Sequence, residues 1–207
     1  MYRPTAFRED RLEVLHGLIR AHPLAQLVTA GPGGLMANPV PCLVDGDAGP
    51  NGILRLHLAK ANPQVEELRN GAEALAIFQG PQAYVTPSWY PAKLEHGKVV
   101  PTWNYVTVHA WGTPRVMDAA GLRRQIEDLT VSQEQGRPAP WAVGDAPEDF
   151  ILTLMNSIVG IEIPIARIEG KWKLSDNRTE SERRGVSEGY RAEGNEAMAE
   201  LVEKAVS

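Results

Sequence analysis

Trp103-Asn104-Tyr105-Val106-Thr107-Val108-His109-Ala110-Trp111 reads as a strand whose two faces differ in kind. Successive side chains of a strand point to opposite sides. Trp103, Tyr105, Thr107, His109 and Trp111 therefore share one face, and Asn104, Val106, Val108 and Ala110 the other. Valines on one face mark the core. Large rings with polar tips on the other suit a planar ligand, a subunit interface, or cover by the chain's own loops. Working outward, this strand spans 103–117, and further strands fall at 25–30, 36–45, 53–59, 73–79, 83–87 and 159–169, with 171–175 continuing or restarting the last. In 53–59, Leu54, Leu56 and Leu58 alternate with Ile53, Arg55 and His57. Pro39 and Pro41 confine 36–45 to an edge or a bulge. The turn cluster 45–52 makes it a hairpin with 53–59.

Helices are expected over about 8–21, where Leu12, Leu15, Leu18 and Ile19 recur, and after Asn62-Pro63, ending near Gly71. Another covers about 119–135 behind the cap Asp118. Asp145 with Glu148 three residues on reads as a capping box opening the next. The tail from 176 carries eight acidic residues against five basic ones, and only 196–206 looks helical in it. Strands and helices do not alternate, which disfavours a doubly wound parallel sheet. A mainly β fold, an antiparallel barrel with peripheral helices, fits better.

The chain has 207 residues, 43% hydrophobic and 23% charged, with a net charge of −5. That is enough for a full core and argues against disorder. The negative balance disfavours a general nucleic-acid or anionic-membrane binder. The one cysteine, Cys42, excludes an intrachain disulfide and a thiolate zinc site, and its apolar setting makes it a small buried hydrophobe. No apolar run reaches the roughly 20 residues of a membrane span, and nothing near Met1 resembles a signal peptide. A cytoplasmic location is expected.

Residues 84–111 hold six of the ten Tyr and Trp, together with Lys93, His96, Lys98 and His109. Pro87-Ser88-Trp89-Tyr90-Pro91-Ala92-Lys93 is too proline-rich for a regular element and reads as a loop whose rings need cover. His57-Leu58-Ala59-Lys60-Ala61-Asn62-Pro63 runs from a strand into a helix start, where free N–H groups and Lys60 suit an anion such as phosphate. The alternative there is a plain turn with a solvated lysine. Lys171-Trp172-Lys173-Leu174-Ser175 puts Lys171, Lys173 and Ser175 on one face, which equally suits a solvated strand. There is no Gly-x-Gly-x-x-Gly, Walker loop, nucleophile elbow, helix-turn-helix or metal-like histidine pair.

Four segments together resemble the PaiB family of FMN-binding negative transcriptional regulators. They are Met1-Tyr2-Arg3-Pro4 with Phe7; His57 to Pro63; Ala83 to Pro91 running on through Val100-Pro101-Thr102-Trp103-Asn104-Tyr105 and Val108-His109-Ala110; and Ile158 to Ile163 with Lys171 to Ser175. They keep the family's order over about 1–178. The resemblance implies an FMN-binding split β-barrel, homodimeric, with flavin near the subunit interface. One domain over 1–178 with a helical insertion near 118–157 is expected, followed by a C-terminal tail over 179–207 with a short helix that lies outside the resemblance.

The implied phosphate set is Lys60 and Asn62, with Lys93, Lys171 and Lys173 less firmly attached. The implied ring set is Trp89, Trp103, Asn104, Tyr105 and His109, and His57, Ser88 and Thr102 complete the cofactor-binding residues. Catalytic residues are unassigned. Asp176 stands where the family has Gln, and a carboxylate near a phosphate is unfavourable. The family's name implies a regulator with a regulatory partner or DNA; the sequence favours action through flavin or a partner. The alternative is a flavin-dependent oxidoreductase or flavin reductase.

Overall fold

The structure, a computed structural model, describes residues 1–205. Nine strands form an antiparallel sheet: β1 (Arg8–Glu9), β2 (Leu24–Gly31), β3 (Gly34–Asp45), β4 (Ile53–Ala59), β5 (Ala74–Val85), β6 (Thr102–Gly112), β7 (Arg115–Val116), β8 (Ile158–Pro164) and β9 (Arg167–Lys173). Their order is β1-β9-β6-β5-β2-β3-β4-β8-β7. The helices are α1 (Leu12–Ala21), α2 (Gln64–Arg69), α3 (Ala92–Glu95), α4 (Ala119–Glu134), α5 (Glu148–Met155), α6 (Glu180–Ala192) and α7 (Glu196–Lys204). The mainly antiparallel sheet with peripheral helices is the expected architecture.

The chain forms two compact units. The second unit comprises 12–78 and 109–168. Its core is built on cross-strand pairs: Leu54 opposite Ile163, Leu56 opposite Ile161 and Leu58 opposite Val159, all buried. Each buried leucine stabilises the fold by roughly 1.5–3 kcal/mol. Leu15 and Ile19 of α1 are equally buried. Pro39 and Pro41 lie where β3 pairs with β2 alone, because β4 joins β3 only from Cys42 onward. Neither proline is asked to donate to a second neighbour.

The first unit comprises 1–11, 79–108 and the chain from 169 on. It holds β1 on β9, with Arg8 opposite Lys171, and the α6–α7 pair. α6 approaches the Pro87–Trp89 turn closely. A Cβ on Gly185 would stand 2.1 Å from the Trp89 carbonyl oxygen, and one on Gly189 would stand 2.3 Å from the Trp89 ring. Tyr190 meets that ring edge-on at 5.0 Å.

Several local expectations are corrected. α1 starts at Leu12 rather than near residue 8, because Arg8–Glu9 is drawn into β1 and the Glu9 carboxylate accepts the Arg11 N–H at 2.9 Å. Residues 73–87 hold one strand, not two. Residues 103–117 hold two strands, split after Gly112. Asp145 does not cap α5; its carboxylate turns back to the Ala142 N–H at 2.8 Å. Pro147 keeps Ala146 extended, so the helix begins only after the proline. The tail carries two helices, and α6 opens on a Thr179–Glu182 capping box.

Candidate functional site

β9 alternation puts Lys171 and Lys173 on one face, as the sequence suggests. Lys171 is 9% exposed, and its Nζ lies over the rings of Tyr105 at 5.2 Å and Tyr2 at 5.7 Å. Lys173 Nζ donates to Thr102 Oγ1 and to the Trp103 carbonyl, each at 2.5 Å. It lies 6.0 Å from the Tyr105 ring. Among the described residues neither lysine has a carboxylate within ion-pair distance; Glu169, on the same strand face, pairs with the Met1 ammonium at 2.6 Å and lies 3.8 Å from Arg3. Burial holds the Lys173 ammonium below its ordinary pKa, and the charges of Lys171 and Arg178 lower it further.

The strand ends in a strained turn. Ser175 is the one non-glycine residue with a left-handed backbone among the described residues, at φ 67°. Such strain persists only where the surroundings fix it. Here Asn104 Nδ2 donates to Ser175 Oγ at 3.1 Å, and both side chains are buried. Asp176 points its carboxylate at the Leu174 N–H, 3.0 Å away, and burial raises its pKa. Its charge is therefore turned onto the backbone of its own turn. A small cavity opens there, lined by Thr102, Asn104, Lys173, Ser175, Asn177 and Arg178.

An open groove lies along Gln79, Gln82, Trp103 and Tyr105. Trp103 is half exposed and meets Tyr84 edge-on at 6.0 Å. Trp89 is occupied otherwise, wedged against Gly189 and Tyr190. Ser88 and Lys93 satisfy each other at 2.9 Å on the surface.

The remaining sequence candidates belong to the second unit. His57 Nδ1 lies 2.9 Å from Gln125 Oε1, while Gln125 Nε2 is buried without a hydrogen-bond partner. Asn62 Oδ1 accepts the Gln64 N–H at 3.0 Å. The N–H groups of Val65 and Glu66 bond to the carbonyls of Asn62 and Pro63. Little of the helix start is left for an anion. The Lys60 side chain is exposed. His109 packs at 5.5 Å on Trp111, whose other contact is Arg167, 3.5 Å from the ring centroid. Cys42 is buried and its thiol is pushed up to about 12, so it is inert. No cluster of three metal-ligating side chains occurs among the described residues, and no helix there is long and apolar enough to cross a membrane.

Sequence reasoning missed Arg178 and Tyr90. The Arg178 guanidinium lies 4.8 Å from the centroid of the Tyr90 ring, and Tyr90 is 2% exposed. Arg178 was readable as a cation five residues after Lys173. Its return to the cavity depends on the Ser175 turn, which no sequence pattern shows.

Comparison with known proteins places this arrangement. A family model described as "Putative FMN-binding domain" matches residues 1–167. An uncharacterised protein of Emericella nidulans is 34% identical over 95% of this chain and 93% of its own length. Protease synthase and sporulation protein PAI 2 of Bacillus subtilis is 29% identical over 98% of this chain and 97% of its own. Among solved structures, an FAD and heme binding protein from Mycobacterium smegmatis superposes with a TM-score of 0.61 at 18% identity, covering 80% of this chain and 73% of that one. The flavocytochrome Anf3 from Azotobacter vinelandii gives 0.60 at 14% identity, with 83% and 72% covered. These two share the fold, which is the expected split barrel. With the match running from the N-terminal segment through β8 and into β9, the chain belongs to the FMN-binding domain family, as the PaiB resemblance implied.

Proposed function

We propose that the chain binds FMN on its first unit and acts as a homodimer whose flavin or ligand state governs a partner, rather than as a reader of DNA. One observation carries the reading: Lys171 and Lys173 are buried or half-buried side by side with no described carboxylate to balance them. Burying an unpaired ammonium costs several kcal/mol. A phosphate monoester, with its charge of about −1.5 to −2, removes that cost. The residues fit FMN in kind: two ammonium groups and the Thr102 hydroxyl for the phosphate, and the Trp103 and Tyr105 rings as walls for an aromatic ring system. The Asn104–Ser175 pair fixes the turn that follows the lysines.

Bound FMN supplies hydride and single-electron transfer at its ring. The chain's own residues bind and orient it. Lys173 anchors to Thr102 and the Trp103 carbonyl, and so enters the site already immobilised, which lowers the ordering cost of binding. Homodimerisation is supported by apolar side chains left in water on this unit, Tyr84, Leu94, Val100 and Trp103 among them. The net charge of −5 speaks against duplex DNA as a direct ligand.

A second reading, a flavin-dependent oxidoreductase or flavin reductase, is favoured by the open groove at Gln79, Gln82, Trp103 and Tyr105, which leaves room for a co-substrate. A visible absorption spectrum and an FMN titration of tryptophan fluorescence test the first claim. Flavin bands near one per chain, or saturable quenching, support it; neither appearing sinks it. Sedimentation as a monomer removes the homodimer. NAD(P)H oxidation by the flavin-loaded protein favours the second reading, and a steep salt-dependent DNA shift overturns action through a partner alone.

A further inference from the structure

Arg178 stands where the strained turn after β9 runs into α6. Its N–H donates to the Ser175 carbonyl at 2.9 Å, and its own carbonyl accepts Arg183 Nη1 at 2.7 Å. The backbone is thus tied on both sides. Its side chain lines the cavity shared by Thr102, Asn104, Lys173, Ser175 and Asn177, and no carboxylate is among those residues. Nη1 is in an ion pair with Glu182, in the first turn of α6, at 3.6 Å, which leaves the rest of the guanidinium fork facing the cavity. The planar guanidinium is set over the buried Tyr90 ring. Burial pushes the Tyr90 phenol up, and the neighbouring Arg178 charge and hydrogen bond pull it back down, so ring and hydroxyl both face this cation. The Trp89 turn that precedes Tyr90 is held in turn by Gly185 and Gly189 of α6.

Resting on the FMN reading, we infer that Arg178 is the third cation of the phosphate site and that Tyr90 is its positioning residue. The ligand class is a phosphate monoester. A guanidinium can engage two phosphate oxygens at once, whereas an ammonium is a point charge. Stacking on Tyr90 restricts the guanidinium plane before any ligand arrives. Arg178 lies beyond the matched residues 1–167, yet on this inference it is part of the ligand site.

The test is titration of the full-length chain with FMN and with riboflavin, which lacks the phosphate. Arg178→Gln weakens FMN by about tenfold or more and leaves riboflavin unmoved. Tyr90→Leu, which keeps apolar bulk but loses the ring face, reproduces part of that loss, while Tyr90→Phe, which keeps the ring face, loses less. Unchanged FMN affinity in Arg178→Gln overturns the inference while leaving the FMN reading intact. So does an equal loss in Tyr90→Phe and Tyr90→Leu, which assigns the effect to the hydroxyl. Inorganic phosphate separates the two claims from the other side. A phosphate-induced rise in melting temperature that vanishes in Arg178→Gln supports Arg178 even where FMN does not bind, an outcome that sinks only the FMN reading.

Discussion

Two stretches of this chain offer cations beside a turn, and they differ in how far those cations are withdrawn from water. In the second unit, the turn from β4 to α2 carries His57, Lys60 and Asn62. There Gln125 meets His57, the Gln64 N–H meets Asn62, and Gln64, fully buried, donates to the Leu27 carbonyl at 2.9 Å while accepting Asn38 Nδ2 at 3.0 Å. In the first unit, the end of β9 carries Lys171 and Lys173, buried or half-buried without a described counter-charge. Residue types at the two places look alike. What separates the two places is desolvation: Lys60 keeps its ammonium in water, whereas Lys171 and Lys173 hold theirs out of it with no described counter-charge, a cost an anionic ligand removes.

The contrast predicts that changes at β9 alter affinity and changes at the β4–α2 turn alter stability. The largest effect is expected from Lys173→Ala, which should weaken FMN by about 1.5–3 kcal/mol and leave the riboflavin affinity of the folded protein unchanged. Equal losses for both flavins would break the comparison at its first step. Gln64→Leu should cost about 1–3 kcal/mol in denaturant unfolding, because Asn38 and the Leu27 carbonyl lose their partner, with no change in the flavin affinity of the folded protein. Asn62→Ala removes a helix cap and should cost about 1 kcal/mol of stability, again without an effect on FMN.

Lys60→Ala should change FMN affinity by less than about 0.5 kcal/mol, the ordinary scale of an exposed side chain. A loss larger than that of Lys173→Ala would move the phosphate to the β4–α2 turn and reverse the comparison. The smallest effect is a pH dependence. Lys173 is held below its ordinary value of 10.5 by burial, so in the window just below 10.5 the unfolded chain binds more protons than the folded one. Unliganded stability should therefore rise with pH through that window in the wild type relative to Lys173→Met. A parallel course of the two curves would place the ammonium in water.

Much of the fold was legible. Leu54, Leu56 and Leu58 announced their buried face, the β6 alternation sorted valines from rings, and Asp118 capped α4 at the Gly121 N–H as expected. The α6 helix was not read: Thr179 and Glu182 have capping-box spacing, but low apolar content hid the helix behind it. Only Val186 and Tyr190 mark its buried stripe, because glycines at 185 and 189 make room for Trp89. That face cannot be read without knowing that a turn about 100 residues earlier in the chain lies against it. Trp89 was read as a ligand ring for the same reason: an aromatic in a loop shows its need for cover but not what covers it.

By itself the sequence determined most of the elements, several of their inward faces and the family, because side-chain periodicity and short motifs are local and survive in one dimension. It also put Lys171 and Lys173 on one face. Only the tertiary structure decided which cations are satisfied. Whether a lysine is desolvated, which carboxylate turns away, and whether Arg178 folds back over Tyr90 depend on groups far apart in the chain. Electrostatic cost is set by that three-dimensional neighbourhood and not by residue type.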